Sequence, residues 1–291
     1  PRPLVRGLGS LAYRVSGRYR RVADKNLQIA FGDSMTARER QGLIKRVFQS
    51  FIIATAEFLT APRLSSNQLK NLVKADSYAI VDDVLARGKG MILLAAHFGN
   101  FELLARRAAL AGYEFAVIAR QSEDPAFNAI TDGLRANGGY AVLPRGGSPK
   151  PILQRLRKNG IVAILPDQKS EDVFVPFFGK LAGTVAGPAV LALKTGAGIV
   201  PMFCPRQPDG TYRMVLCPEI DTMATGDTDA DIKRIMTDIN RVIEDMVRQY
   251  PEQWLWLHDR WRVPPSEEFS LLNSGEPEGA ISSLPYEALR P

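Results

Sequence analysis

Cysteine and histidine are both scarce in this sequence, with two residues of each among 291. Cys204 and Cys217 lie in or beside apolar segments, and their spacing fits neither a disulfide framework nor a metal site. We expect both thiols to be small core residues in a reducing compartment. The two histidines are His97 and His258, and imidazole is the side chain that titrates near neutral pH.

Long hydrophobic runs are also missing, since no stretch reaches 18 consecutive apolar residues and none is predicted to span a bilayer. Acidic residues are outnumbered, with 31 Asp and Glu against 37 Lys and Arg, and the net charge is +6. A basic balance is typical of partners such as nucleic acid, an anionic membrane or an acidic protein. No nucleic-acid motif accompanies the charge, so we expect no nucleic-acid partner.

Short apolar segments alternate with helical patterns along most of the chain, which predicts an α/β fold. We expect a single domain, residues 32–265, with a central mixed, largely parallel sheet flanked by helices. A capping box at Thr36 and Glu39 predicts a long helix that ends near Thr60. Strands are predicted at 91–96, 114–119, 140–143, 161–165, 199–204 and 212–217, and helices at 76–87, 125–137, 149–158, 185–196 and 229–249.

The two ends of the chain have different predicted properties. Residues 1–31 predict one amphipathic helix in which an apolar stripe lies beside a cationic one. That pattern is typical of a helix lying in a membrane interface, although a solvated basic helix packed on the domain is the alternative. Residues 266–291 are rich in Pro, Ser, Glu and Gly and predict a loosely ordered tail. The apolar stripe contains Leu4, Leu8, Leu11, Val15 and Val22, and the cationic stripe contains Arg14, Arg18, Arg21 and Lys25.

The stretch from Met91 to Leu104 predicts a buried strand, a tight turn and a helix. His97 would lie at the carboxyl end of that strand, and Glu102 would lie in the first turn of the helix. The carboxyl edge of an open α/β sheet is where ligands bind. A carboxylate that accepts a hydrogen bond from one imidazole nitrogen leaves the other nitrogen free as a base. The alternative is a structural histidine with a solvated or capping glutamate.

The segment Ala96-His97-Phe98-Gly99-Asn100-Phe101-Glu102 resembles the H-x4-[D/E] motif of the lysophospholipid-acyltransferase superfamily. More narrowly, the chain resembles the lipid A biosynthesis acyltransferases of the lauroyl and myristoyl type, because further motifs follow in the family's order over about residues 20–263. These motifs are Arg120 with Pro125, Leu143-Pro144-Arg145, Leu165-Pro166-Asp167-Gln168, the segment 174–179 and the segment 251–258.

The resemblance implies a glycerolphosphate-acyltransferase-like fold and an O-acyltransferase in which His97 is the general base, oriented by Glu102. The donor would be an acyl thioester on acyl carrier protein or CoA, and the acceptor a lipid A precursor, with no metal or cofactor needed. It also implies the cytoplasmic face of the bacterial inner membrane, reached peripherally or through a segment upstream of Pro1. Alternatives are another glycolipid such as a phosphatidylinositol mannoside, a lysophospholipid, or a thioesterase or lipid hydrolase with the same dyad.

Several further residues are candidates for the site. Donors at the turn formed by Gly99 and Asn100, or nearby arginines, would stabilise the oxyanion. Arg120 and Arg145 each follow a predicted strand and would bind acceptor phosphates, or alternatively the phosphates of the donor; a surface turn is the other interpretation of Arg145. The resemblance places three more residues in the site, namely Arg135, Asp167 and Gln168.

The aromatic residues near the end of the chain have two interpretations. Phe177 and Phe178 end an apolar segment that would either line an acyl-chain tunnel or belong to the core. The tryptophans between 254 and 261 and His258 are explained by a chain segment packed against the sheet, with catalysis by His258 a minor alternative.

Overall fold

A computed structural model describes residues 2–262 apart from residues 121 and 123, so the predicted tail at 266–291 lies outside the described residues. Within this range the chain has α-helices and β-strands in the alternating order that the sequence predicts. The helices are α1 (Arg2–Val15), α2 (Gly17–Phe31), α3 (Ala37–Thr60), α4 (Ser66–Leu72), α5 (Ala79–Ala86), α6 (Phe101–Leu110), α7 (Pro125–Asn137), α8 (Lys150–Arg157), α9 (Gly187–Thr195) and α10 (Thr228–Gln249). The strands are β1 (Val73–Ala75), β2 (Met91–Leu94), β3 (Phe115–Ala119), β4 (Ala141–Pro144), β5 (Ile161–Ile164), β6 (Lys169–Phe177), β7 (Lys180–Thr184), β8 (Gly198–Phe203) and β9 (Tyr212–Leu216).

The central sheet has seven strands in the order β1-β9-β8-β2-β5-β3-β4. Its described pairings are parallel except the one between β8 and β9, so the sheet is mixed and largely parallel, as predicted. Strands β6 and β7 form a separate antiparallel hairpin. In β2, which has a partner on each side, the side chains alternate between the two faces, and both faces are buried. The four residues of β2 are therefore apolar without a polar alternation.

The N-terminal segment is two helices rather than the single helix predicted for residues 1–31. Helix α1 ends at Val15 and α2 begins at Gly17, with Ser16 between them. Helix α1 packs closely on α3, because a Cβ on Gly9 would lie 2.7 Å from the Cα of Gln49. Among the described residues, no helix is long and apolar enough to cross a membrane.

Two smaller features of the fold were not predicted. Strand β1 was missed because only three residues pair with β9. The β6–β7 hairpin was missed because Phe178 and Gly179 both have positive φ, 51° and 70°, and phenylalanine carries no turn signal. The capping box of α3 was predicted and is confirmed, since Thr36 and Glu39 each accept a hydrogen bond from the other's backbone.

Candidate active site at the carboxyl edge of the sheet

His97 lies three residues beyond β2, at the carboxyl edge of the sheet. The register pairs Leu94 with Ile164 of β5, so His97 stands level with Asp167, which lies three residues beyond β5. The tight turn that follows depends on Gly99, whose φ is 58° and whose position leaves no room for a side chain. A Cβ there would lie 2.2 Å from the carbonyl oxygen of Cys204.

The carboxylate that holds His97 is Asp167. Its Oδ1 lies 2.8 Å from Nδ1 of His97, and its Oδ2 accepts hydrogen bonds from the backbone N–H of His97 and the indole N–H of Trp254, both at 2.9 Å. This corrects the expected contact between His97 and Glu102. Glu102 lies in the first turn of α6, and its described hydrogen bonds go instead to Arg135 of α7 and to Tyr140, which precedes β4.

The surroundings fix which imidazole nitrogen carries a proton. Burial lowers the pKa of His97, but the charge and hydrogen bond of Asp167, together with the charge of Glu102, outweigh burial and raise the pKa above 6.5. Burial raises the pKa of Asp167, but its contacts with His97 and Trp254 outweigh that effect and lower it. An ionised Asp167 accepts a hydrogen bond from the N–H at Nδ1, so Nε2 of the neutral ring carries the lone pair.

Gln168 is the described polar neighbour of that free nitrogen. Its amide nitrogen lies 3.4 Å from Nε2 of His97, within reach of a weak hydrogen bond that a substrate hydroxyl can replace. The resemblance placed Gln168 in the site, and in the structure Gln168 lies beside Nε2 of His97.

Glu102 is the centre of a second polar group. Arg135 of α7 donates to it from Nη2 at 2.7 Å and from Nε at 3.2 Å, and the hydroxyl of Tyr140 donates at 2.7 Å. Burial lowers the pKa of Arg135, but the contacts with Glu102 outweigh burial and raise it. Burial and the nearby Glu102 charge raise the pKa of Tyr140, so its hydroxyl stays a donor. Glu102 therefore fixes a permanently charged guanidinium beside the site.

The backbone donors predicted at the turn already have partners. The N–H of Gly99 donates to the carbonyl of Gln253 at 2.9 Å, and that of Asn100 donates to the carbonyl of Cys204 at 3.1 Å. The side chain of Asn100 caps α6 by accepting from the N–H of Leu103. Gly99 and Asn100 form the turn between β2 and α6. Because both backbone N–H groups are already hydrogen-bonded, this geometry does not support the expectation that they are free to bind an oxyanion.

Two cavities meet at His97. The first, here called the sheet cavity, has a volume of about 360 Å³ and lies between α6, α8, α9 and strands β2, β3 and β5. Its walls are mostly apolar. They include Leu93, Leu104, Ala105, Phe115, Val117, Ile152, Ala163, Leu165, Val185 and Leu191.

The second cavity, here called the helix cleft, has a volume of about 620 Å³ and lies between α3, α7 and the segment 252–255. Four of its lining residues are large exposed hydrophobics, so its mouth is apolar on the outside of the protein. These are Phe51, Leu59, Phe127 and Ile130. The residues that line both cavities are His97, Phe101, Glu102, Ala119, Arg120 and Arg135.

The predicted arginines occupy different walls. Arg120 follows β3 and borders both cavities, whereas Arg145 follows β4 and borders the sheet cavity beside Gly146 and Gly147. Both therefore lie at the same edge of the sheet as His97.

Phe177 and Phe178 have the contacts of core residues. Phe177 packs against Trp254 and Trp261, with ring centroids 5.4 and 5.6 Å away, and Phe178 packs against Trp256 at 5.8 Å. Other residues supply the apolar lining of the two cavities. These contacts fit the interpretation that Phe177 and Phe178 are core residues. Contact of either side chain with the acyl chain stays a prediction.

Sequence reasoning missed or underrated several residues of the site. The sequence explains Trp254 as a packing residue, but its indole N–H donates a hydrogen bond to Asp167, and the sequence gives no reason to select Tyr140.

His258 accepts a hydrogen bond from the backbone N–H of Lys169 at 3.0 Å, and Lys169 lies two residues beyond Asp167. Burial lowers the pKa of His258 to about 4, so its ring is neutral near pH 7. The hydrogen bond from Lys169 to this neutral ring stabilises the loop that carries Asp167. Arg206 lines the helix cleft and gave no sequence signal.

Residues 1–263 match the family described as bacterial lipid A biosynthesis acyltransferase. The chain belongs to this family. It is thus an O-acyltransferase, as the sequence predicted. A lipid A biosynthesis lauroyltransferase from Escherichia coli (strain K12) is 27% identical over 264 residues, which cover 89% of this chain and 84% of that protein.

Two further relatives are named for lipid A biosynthesis and for a different glycolipid. A lipid A biosynthesis myristoyltransferase from Escherichia coli (strain K12) is 25% identical over 260 residues, 88% of this chain and 79% of that protein. A phosphatidylinositol mannoside acyltransferase from Mycolicibacterium smegmatis (strain ATCC 700084 / mc(2)155) is 26% identical over 236 residues, 78% of this chain and 74% of that protein. All three relatives are acyltransferases by name, two of lipid A biosynthesis and one of phosphatidylinositol mannoside.

Proposed function

We propose that this acyltransferase moves an acyl chain from a thioester to a hydroxyl of a lipid A precursor, with His97 as general base. The observation that carries the proposal is the position of His97, whose Nδ1 is held by Asp167 and which lines the junction of two separate cavities. A base between two substrate cavities suits direct transfer from one bound lipid to the other.

The proposed step follows from the tautomer. Nε2 of His97 takes the proton of the acceptor hydroxyl while that oxygen attacks the thioester carbonyl. The resulting imidazolium is stabilised by the ionised Asp167. When the tetrahedral intermediate collapses, the carbon–sulfur bond breaks, and the imidazolium returns its proton to the leaving thiolate. The ester and a free thiol are the products, and no covalent enzyme intermediate is required.

Arg135 is the group that we propose for charge stabilisation at the carbonyl oxygen. It borders both cavities, it is always protonated, and Glu102 and Tyr140 hold its position. In this assignment Glu102 keeps its importance for the reaction but acts by positioning Arg135 rather than His97.

The sheet cavity is assigned to the acyl chain of the donor, because its walls are mostly aliphatic and it is lined by buried strands. Arg145 borders only this cavity, which favours the donor side for its phosphate contact. The carrier would supply that phosphate through phosphopantetheine, either on acyl carrier protein or in CoA. Arg120, which borders both cavities, stays a candidate for an acceptor phosphate.

The helix cleft is assigned to the acceptor lipid, because its mouth carries four exposed hydrophobic side chains and its interior carries polar groups. A lipid that enters from a membrane needs an apolar path to the reacting hydroxyl. The exposed apolar mouth therefore fits an amphiphilic acceptor better than a water-soluble one.

Peripheral membrane binding is the third part of the proposal. Leu4 and Val15 are 74% and 73% exposed, and Leu8 and Leu11 between them are about half exposed, so the apolar stripe of α1 lacks a covering element among the described residues. Arg14 of α1 is exposed, and so are the cationic residues of α2, namely Arg18, Arg21 and Lys25. This surface fits the anionic cytoplasmic face of a bacterial inner membrane.

The test is release of free thiol from acyl carrier protein or CoA that carries a long acyl chain, measured with and without an acylated, phosphorylated glucosamine disaccharide. Acceptor-dependent release together with an acylated glycolipid in the mass spectrum supports transfer. Release that is equally fast without the acceptor indicates the rival hydrolase. A phosphatidylinositol mannoside in a parallel reaction tests the other glycolipid class.

A further inference from the structure

Arg206 is a largely buried cation whose guanidinium lies 6.0 Å from the ring centroid of Tyr212 and makes no hydrogen bond to a side chain or backbone among the described residues. Its side chain is 15% exposed and lines the helix cleft, and its Nε is buried without a hydrogen-bond partner. Among the described residues, its ion-pair partner is Glu57, at 3.9 Å, which is beyond hydrogen-bond range. A guanidinium has five donors, so an arginine in this setting lacks acceptors that a ligand can supply.

The neighbouring groups explain why Glu57 does not satisfy Arg206. The other oxygen of Glu57 accepts from the hydroxyl of Tyr212 and from the side-chain amide of Asn100, the latter at 3.3 Å. The main chain of Arg206 is clamped at the same time, because its N–H donates to Gln253 at 2.7 Å and its carbonyl accepts from Gln253 at 2.9 Å. The position of the backbone is thus fixed while the guanidinium stays available.

Strand order places Arg206 on the flank of His97 opposite Asp167. Strand β8 pairs with β2 on the side away from β5, and its register aligns Leu94 with Pro201. Cys204 is therefore level with His97, and Arg206 lies two residues further along the same edge. Arg120, which follows β3, lies on the other flank, so the edge carries a cation on each side of the base.

We propose that Arg206 binds a phosphate group of the acceptor lipid in the helix cleft and so determines which acceptors are used. The inference rests on the proposed function, because it assigns this cleft to the acceptor. A planar fork of N–H donors matches phosphate oxygens in a bidentate geometry. Since the cleft also borders His97, a phosphate held at Arg206 would fix the distance from the phosphate to the hydroxyl that is acylated.

The experiment compares wild-type protein with Arg206→Gln, Arg206→Lys and the control Arg213→Gln. Arg213 is 61% exposed and pairs with exposed Asp76 on the surface, so its removal deletes the same charge outside the cleft. Steady-state rates are measured with a bis-phosphorylated, acylated glucosamine disaccharide and with the same lipid after phosphatase treatment. Thermal melting shows whether each variant is folded.

We expect Arg206→Gln to raise the KM for the phosphorylated acceptor about 10- to 100-fold and to leave the donor KM unchanged. With the dephosphorylated acceptor the variant and wild type should have similar KM values. Arg206→Lys should fall between them, because lysine keeps the charge but not the bidentate fork.

An equal rise in KM for the phosphorylated and the dephosphorylated acceptor would overturn the inference and make Arg206 a structural residue. A rise confined to the donor KM would also overturn it, and would assign the phosphate to the carrier. Failure of the proposed function gives a different result, since wild-type protein would then transfer to neither form of the disaccharide.

Discussion

Replacing Asp167 by asparagine tests the catalytic geometry most directly. Three donors converge on this carboxylate: the ring N–H and the backbone N–H of His97, and the indole N–H of Trp254. Asparagine has one oxygen and one NH2 group. If the oxygen takes the place where the backbone and indole donors meet, the NH2 group faces Nδ1 of His97. The imidazole must then accept a hydrogen bond at Nδ1 and carry its own proton on Nε2. With Nε2 protonated, the ring has no lone pair there to take the proton of the acceptor hydroxyl.

The expected loss in kcat is about 10²–10⁴-fold, the range for losing a general base or holding it in the wrong tautomer. The pH dependence gives a second signature. Because Asp167 raises the pKa of His97, wild-type activity should rise with pH through a midpoint above 6.5. Without the negative charge the pKa of His97 falls, so the acid limb of the residual activity should move to lower pH.

The assay is acceptor-dependent thiol release, recorded as kcat/KM across pH, with thermal melting to confirm folding. Asp76→Asn is the matched control, because Asp76 is 68% exposed in a surface ion pair and should leave the profile unchanged. Glu102→Gln should lower activity through Arg135 and move the acid limb less. A near-normal rate for Asp167→Asn with an unmoved acid limb would refute the proposed orientation of His97.

His97, the sheet cavity and helix α1 each give one further prediction. His97→Ala should lower transfer by at least about 10²-fold with little change in melting temperature, measured by thiol release and calorimetry; a near-normal rate would exclude it as the base. Ala105→Leu narrows the sheet cavity and should shift donor preference toward shorter acyl chains, measured across a chain-length series; an unchanged preference would place the chain elsewhere. Leu8→Ser with Leu11→Ser should weaken flotation with anionic vesicles without changing activity on detergent-dispersed acceptor; unchanged flotation would exclude the α1 stripe as the contact.

The fold class was accessible from the sequence because its main signals are local. The apolar run of β2, the capping box of α3 and the alternation of strands with helices each depend on neighbouring residues. The break between α1 and α2 was missed because the apolar and cationic stripes continue across Ser16. Periodicity along the sequence does not reveal that the backbone of Ser16 leaves the helical conformation, with φ of −94° and ψ of 60°.

The sequence could not predict which backbone N–H groups of the turn after β2 are free to donate a hydrogen bond. The segment Gly99 and Asn100 has the composition of an oxyanion-binding turn, yet both N–H groups are paired with segments more than 100 residues away. Which backbone donors are free depends on tertiary neighbours such as Gln253 and Cys204. The glycine itself is required for a different reason, the close approach of the Cys204 carbonyl.

The identity of the carboxylate beside His97 depends on strand order rather than on spacing along the chain. Glu102 is five residues away but lies in the first turn of α6, where its carboxylate accepts hydrogen bonds from Arg135 and Tyr140. Asp167 is 70 residues away, but β2 and β5 are adjacent and in parallel register, so residues at equal offsets beyond the two strands meet. The sequence contained both strands and both polar residues. It did not show that β5, rather than β3, pairs with β2, and that fact of topology decides which carboxylate contacts His97.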